Sequence, residues 1–250
     1  MTRTLSSVAL GVALMLSLTS CAPSDELGAV MDGIEVVVDA LEAVEAAQSP
    51  EPAQPGDPGS MDPADVDRAR SVLSELPVKG RAPLTGYERD EFGHGWTDVD
   101  RNGCDTRNDV LVRDLVDAVV PEGCRVVSGV LDDPYTGRVI EFVRGNDTSR
   151  LVQIDHVVPL ANAWVTGAQG FTDAERVAFA NDPLNLLAVD GTANQQKGAG
   201  DAATWLPPDR SFRCEYVGRQ VAVKAKHGLW VTPPERDAIE RVLDGCRGGA

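Results

Sequence analysis

Apolar positions along this chain fall into short runs of different period. Val8 to Leu18 is one apolar run, too short to span a bilayer as a mature helix. Leu27 to Ala47 alternates apolar and acidic residues, with Val30, Ile34, Val37, Leu41 and Val44 at helical spacing, which predicts a solvated acidic helix. Gln48 to Pro63 is dense in Pro, Gly, Ser and Asp and reads as a flexible tether. Leu73 to Leu76 leads into a globular domain that starts near Asp65, whose roughly 185 residues suffice for one core.

Within that domain the periods change every ten residues or so. Asp109 to Val120, with Val112, Leu115, Val116 and Val119 apolar, predicts a short helix ending before Pro121. Arg125 to Leu131 and Arg138 to Arg144 are β-branched runs parted by Asp132-Asp133-Pro134-Tyr135-Thr136-Gly137, a turn, so the pair predicts a hairpin. Leu151 to Ile154 is a short strand running into Asp155-His156. Ala161 to Gly167 and Asp173 to Ala180 are helical, the second capped by Thr172. Leu184 to Val189 is a strand, Gly191 breaks it, and Asn194 opens a helix or turn. Pro234 to Leu243 is a last helix. Strands and helices mixed in this way predict an α+β domain.

The first twenty residues read as a cleaved export signal: Arg3, the apolar run, then Leu18-Thr19-Ser20-Cys21. That ending resembles the lipobox of bacterial lipoproteins, which implies lipidation of Cys21; an ordinary signal peptide is the alternative. Export leaves Cys104, Cys124, Cys214 and Cys246 as an even set in an oxidising compartment, so two disulfides are expected. Three pairings are open, and the local ones, Cys104–Cys124 and Cys214–Cys246, are favoured. Each closes a loop worth about 3–4 kcal/mol by chain entropy. A four-cysteine zinc site is disfavoured because no close Cys-x-x-Cys pair exists.

The net charge of −16 weighs against a nucleic-acid partner, whose phosphates call for positive charge. Its distribution matters more. Residues 24–70 carry twelve acids against Arg68 and Arg70, while after residue 70 there are 20 basic and 27 acidic residues. The C-terminal part is thus mildly acidic. Tight, sequence-specific DNA binding is disfavoured.

One stretch carries chemistry: Asp155-His156-Val157-Val158-Pro159, then Asn185-Leu186-Leu187, then Asn194-Gln195-Gln196-Lys197-Gly198. Only three histidines exist, His94, His156 and His227. Phosphodiester hydrolysis needs a base to deprotonate water, which a histidine supplies near neutral pH, and positive charge to meet the growing negative charge on phosphate. His156 fits the first task; Asp155 and Asn194 offer hard oxygens that suit magnesium, manganese or calcium. Adjacent strand residues point to opposite faces, so Asp155 and His156 can address one phosphate only if the strand ends or bends there. Pro159 favours an end.

These residues resemble the HNH, or ββα-metal, nuclease motif. The match is to its Asp-His-Ile-Val-Pro version, found in the HNH domain of RNA-guided CRISPR nucleases and in a branch of secreted bacterial HNH proteins. The nine-residue spacing from Asn185 to Asn194 matches too. The resemblance implies a ββα core, a hairpin plus short strand and helix, over residues 137–200, with residues 85–250 matching the secreted branch more loosely. It implies His156 as general base, Asp155 and Asn194 as metal ligands, and Asn185 as the asparagine that pins the loop bearing the histidine. Asparagine rather than histidine at the third motif position shifts the implied metal toward magnesium or manganese. Some relatives use a further histidine ligand, for which His227 is the only downstream candidate. Lys197 and Arg107 are candidate phosphate contacts, each weighed against a solvated or internally paired side chain.

A second constellation, Asp98-Val99-Asp100-Arg101-Asn102-Gly103 through Asp109, mimics an EF-hand loop through Asp98, Asp100, Asn102 and Asp109. Cys104 at its seventh position and the lack of a clear entering helix between Tyr87 and Trp96 count against calcium. Trp96, Trp164, Trp205 and Trp230 read as core or cleft-rim aromatics.

The sequence therefore predicts an exported, lipid-anchored or secreted protein with residues 1–20 as signal, 21–64 as acidic helix and tether, and 65–250 as an HNH-like domain stapled by two disulfides. The expected activity is metal-dependent hydrolysis of nucleic acid, DNA ahead of RNA, with little sequence preference and no organic cofactor. A non-catalytic, calcium-binding cell-surface lipoprotein on the same scaffold is the alternative, and a toxin or defence effector a third.

Overall fold

The computed structural model describes residues 61–246, apart from 147. The expected export signal, Cys21, the acidic helix over 27–47 and the tether up to residue 60 lie outside the described residues. Helix α1, Pro63–Glu75, starts just ahead of the expected boundary at Asp65. The Asp62 side chain accepts from the Ala64 amide, and Pro63 sits in the first turn where no amide is needed. Val66, Ala69 and Leu73 recur every three or four residues and bury one stripe against two C-terminal helices.

Helix α2, Thr106–Asp114, leads directly into β1, Leu115–Val119, which pairs antiparallel with β2, Ser128–Asp132. The helix predicted through Val120 is thus cut short. Leu115 pairs with Leu131 and Val116 with Val130, so the apolar, β-branched run is satisfied by a ladder instead of a helix. An extra residue between Val116 and Val119, with Asp117 at φ 52°, makes a bulge. β3, Val139–Val143, completes this sheet as the partner of β2, so the predicted hairpin forms.

β4, Val152–His156, and β5, Leu186–Asp190, make a separate antiparallel pair. The hairpin and the Asp155-His156 strand therefore lie in different sheets. Helices α3, Leu160–Val165, and α4, Asp173–Ala180, fill the connection; Thr172 and Glu175 form a reciprocal capping box on α4. Gly191 does not end in a loop. It opens helix α5, Gly191–Lys197, capped by the Asp190 side chain on the Ala193 amide. A Cβ at Gly191 would lie 2.1 Å from the Arg150 carbonyl, so only glycine fits there. Asn194 stands in the middle of α5 and does not open it.

Every residue of β5 is buried, because both its faces meet core. Leu187 and Val189 join α1, α6 (Arg213–Lys226) and α7 (Pro233–Gly245), whereas Leu186 and Ala188 join α2 and the three-stranded sheet. The sequence pattern does not reveal α6, the longest helix of the described residues, because polar side chains occupy its inner face. Gln220 Nε2 donates to the Val157 carbonyl, and Lys224 pairs with Glu235 at 2.7 Å with neither side chain exposed. Disulfides Cys104–Cys124 and Cys214–Cys246 tie the loop just before α2 to the loop after β1, and the start of α6 to the end of α7. Both favoured pairings form.

Candidate active site

β4 is an edge strand: among the described residues only β5 pairs with it. The far edge of β5 is closed by α2, where Asp114 accepts the Ala188 amide and Arg113 donates to the carbonyls of Leu186 and Pro183. A cleft of about 350 Å3 runs along β4, lined by Gln153, Asp155, His156 and Pro159, and by Asn194 and Gln195 of α5. β4 ends at His156, the strand end that Pro159 favoured. Asp155 and His156 leave opposite faces of the strand, and the cleft at its open edge is lined by both.

Asp155 pairs across the sheet with Leu187 and shares that strand's α6-facing side. Tyr135 donates its hydroxyl to Oδ2 at 2.5 Å, and Lys197 Nζ lies 3.0 Å from Oδ1. Tyr135 itself is fully enclosed by Trp205, Phe212 and Tyr216. Burial and the Asp155 charge hold its hydroxyl well above the usual range, so it remains a donor. Burial pushes the Asp155 carboxyl up and the Lys197 ammonium down, and each charge restrains the other's shift. Lys197 also donates to the His156 carbonyl at 2.7 Å, and its side chain has no exposed surface. Lys197, a candidate phosphate contact weighed against a solvated side chain, is neither: it is turned inward as the counter-ion of Asp155.

His156 pairs with Leu186 on the other face. Its ring lies flat on Trp96, centroids 5.7 Å apart, and Nε2 is 2.8 Å from the Ala180 carbonyl. A carbonyl only accepts, so Nε2 carries the proton and Nδ1 keeps its lone pair. Burial lowers the ring's pKa to about 4, the Ala180 bond opposing and the charges of Arg89 and Lys197 adding to the fall. The imidazole is neutral at physiological pH.

Asn185, with no exposed surface, accepts the Val158 amide at 2.8 Å and donates to the Val158 carbonyl at 3.2 Å. Its own carbonyl accepts the Val157 amide. The segment after His156 is thus clamped through backbone groups.

Asn194 donates its amide to Gln153 Oε1 at 3.0 Å, and its carboxamide oxygen accepts no hydrogen bond among the described residues. That oxygen and the Asp155 carboxylate are hard donors on one cleft. Together they fit a divalent cation of the magnesium or manganese class, with water completing its shell. Such an ion would share the carboxylate with Lys197.

The remaining candidates lie elsewhere. Arg107 does not line the cleft; it stands close enough to Arg144, itself near Arg125, for like-charge repulsion to add to the burial that lowers its pKa. His227 Nε2 donates to Asp182 at 2.7 Å. In the loop over residues 98–109, Asp98 and Asp100 accept the Asn102 amide, and the Asn102 side chain donates to Asp100 and Asp109. The loop closes with its own donors, and no three acid, histidine or cysteine side chains converge as a metal cluster among the described residues.

Tyr135, Trp96 and Arg89 are the contributors that sequence reasoning did not assign to the site. Arg89 lies on a 3-10 turn, Arg89–Phe92, and lines the cleft beside His156. Gly93 at φ 94° and Gly95 at φ 91° reverse the chain after it and deliver Trp96 onto the histidine.

Residues 105–242 match the family described as GmrSD restriction endonucleases, C-terminal domain. An uncharacterized secreted protein of Arthroderma benhamiae is 39% identical over 180 residues, covering 71% of this chain and 84% of that protein. No solved structure matches the chain significantly. With more than half of its length matched around the Asp155–His156 cleft, the chain belongs to the family of GmrSD restriction endonuclease C-terminal domains.

Proposed function

We propose that this protein is an exported HNH-type endonuclease that hydrolyses phosphodiester bonds of nucleic acid, DNA ahead of RNA, with a divalent metal. The observation that carries the reading is the tautomer of His156: Nε2 is committed to the Ala180 carbonyl, which leaves a neutral, unprotonated Nδ1 as the base. Water attacks phosphorus as Nδ1 takes its proton; the bond from phosphorus to the leaving oxygen breaks, and that oxygen takes a proton from solvent. Asn185 keeps the histidine's segment in place, and β4, β5 and α5 serve as the ββα core. Magnesium or manganese on Asp155 and Asn194 would neutralise charge growing on the phosphate oxygens. Arg107, with Arg125 and Arg144, serves as an outer contact to substrate phosphates.

The family supports nuclease chemistry, and a relative named as secreted supports export. Residues 1–20 act as the signal and Cys21 as the lipid attachment site. The test is plasmid nicking with magnesium or manganese, wild type against His156→Ala and against EDTA. Undiminished cleavage by His156→Ala would refute the base.

A second reading is a calcium-binding surface protein without catalysis, in which calcium would have to displace the Asn102 donors that Asp98, Asp100 and Asp109 already accept. Calorimetric calcium binding in a protein inactive with every metal would favour it.

A further inference from the structure

We propose that Arg89 grips the phosphate under attack, its guanidinium holding the non-bridging oxygens while His156 activates the water; this rests on the nuclease reading above. A second cavity of about 220 Å3, lined by Phe92, Gly93, Gly95 and Trp96, adjoins the main cleft, and the two share Arg89, His156 and Leu160. Arg89 therefore stands where both openings meet at the base. It is the one cationic side chain among the described residues lining either opening, apart from the histidine itself. In a chain of net charge −16 that placement runs against the average field.

Arg89 is exposed and forms no ion pair with a carboxylate among the described residues. The acids on its own turn are occupied or turned elsewhere. Glu91 pairs with Arg176 at 3.4 Å, and Asp90 is 3.8 Å from His94. The turn is held rigidly. Phe92 is buried against Trp164 and Phe179, and Arg176 Nε donates to the Glu91 carbonyl. A fixed backbone with a free guanidinium is what phosphate recognition needs, because the planar fork meets two oxygens at once. Residues 85–96 also precede the family match at 105–242, so this group is supplied from outside the shared region.

The experiment compares full-length wild type, Arg89→Gln and Arg89→Lys in two readouts. One is nicking kinetics with manganese; the other is binding of a short fluorescent DNA duplex in EDTA across a salt series. Arg89→Gln is expected to lower kcat about a hundred-fold with a smaller change in KM. Arg89→Lys, which keeps the charge and loses the fork, recovers part of it. In EDTA the salt dependence of Arg89→Gln should be shallower by about one phosphate contact. Equal rates and an equal salt slope would leave Arg89 a solvated surface cation and overturn the proposal. If the wild type cleaves nothing with any metal, the nuclease reading fails by itself. The binding series then decides: a shallower slope upholds the phosphate contact, an unchanged one removes it.

Discussion

Lys197 Nζ lies 3.0 Å from Oδ1 and 2.9 Å from Oδ2 of Asp155; the lysine side chain is closed off from water, and the carboxylate is buried but borders the cleft. The pair is held on both sides, by the Tyr135 hydroxyl on the carboxylate and the His156 carbonyl on the ammonium. The lysine thus fixes both the neighbouring acid and the backbone of the base.

Removing one member should therefore harm the fold more than removing both. Lys197→Met leaves Asp155 as an uncompensated buried charge and is expected to cost about 3–5 kcal/mol in urea unfolding. Asp155→Asn combined with Lys197→Met should cost less than Lys197→Met alone, and so clearly less than the sum of the single changes. Additive effects would mean that the pair is not coupled.

Asn185→Ala strips the Val158 amide and carbonyl of their partners inside the protein. Each orphaned group costs about 1–3 kcal/mol, so a loss of about 2–6 kcal/mol is expected with secondary structure kept below the transition. Asn185→Asp keeps an acceptor for the amide but sets a carboxylate against the carbonyl, and should do no better at neutral pH. Circular dichroism melts of the two variants check this ordering. Nicking should fall in both, because His156 then sits on a loosened segment.

Legibility in the sequence followed the kind of signal involved. The strands around Asp155 and Asn185 and the cap at Thr172 were readable because apolar runs and capping residues act locally. The even set of four cysteines pointed to two disulfides, whereas the choice among three pairings stayed open until the structure joined the local ones. Lys197 was misassigned because a lysine beside a motif looks the same whether it turns toward solvent or inward. Tyr135 was hidden inside a turn, where Asp133-Pro134 and Gly137 explained the sequence without it. Trp96 and Arg89 reach the cleft only through tertiary packing of the turn at Phe92, which no spacing records. Helix α6 is less legible because Gln220 and Lys224 take inner positions among its apolar residues, where they serve the Val157 carbonyl and the Glu235 carboxylate.

Asp182 links α6 to the loop carrying Asn185. Burial acts to raise its carboxyl, but hydrogen bonds from His227 and Lys226 more than offset this and hold its pKa at about 2. A carboxyl depressed in the fold contributes stability above its ordinary value near 3.9 and loses it as pH falls toward about 2. Asp182→Asn should therefore be less stable by about 2 kcal/mol at neutral pH. Its urea midpoint should also fall less than that of the wild type between pH 4 and pH 2. Parallel pH curves would mean that Asp182 does not drive the acid limb.

Trp96 is placed to set the ionisation of His156. Its ring covers the imidazole at an interplanar angle of 9°, and the histidine is left 7% exposed. Trp96→Ala lets water reach the ring, so the desolvation that holds the pKa at about 4 relaxes and the value should rise toward the ordinary 6.5. Trp96→Phe keeps a ring face over His156 and should move it less. The sign for stability follows. A histidine depressed in the fold withholds a proton that the unfolded chain takes up, so the wild type loses stability as pH falls from about 6.5 to about 4. Trp96→Ala should start less stable, through lost packing against the core cluster shared by α2, the three-stranded sheet and the β4–β5 pair, yet show a smaller decline over that window. Proton NMR titration of the His156 ring in metal-free protein reads the first effect, and urea midpoints across the same pH range read the second. An imidazole still titrating near 4 in Trp96→Ala would place the cause in the Leu160–Ala180 wall of the neighbouring cavity instead of in the indole.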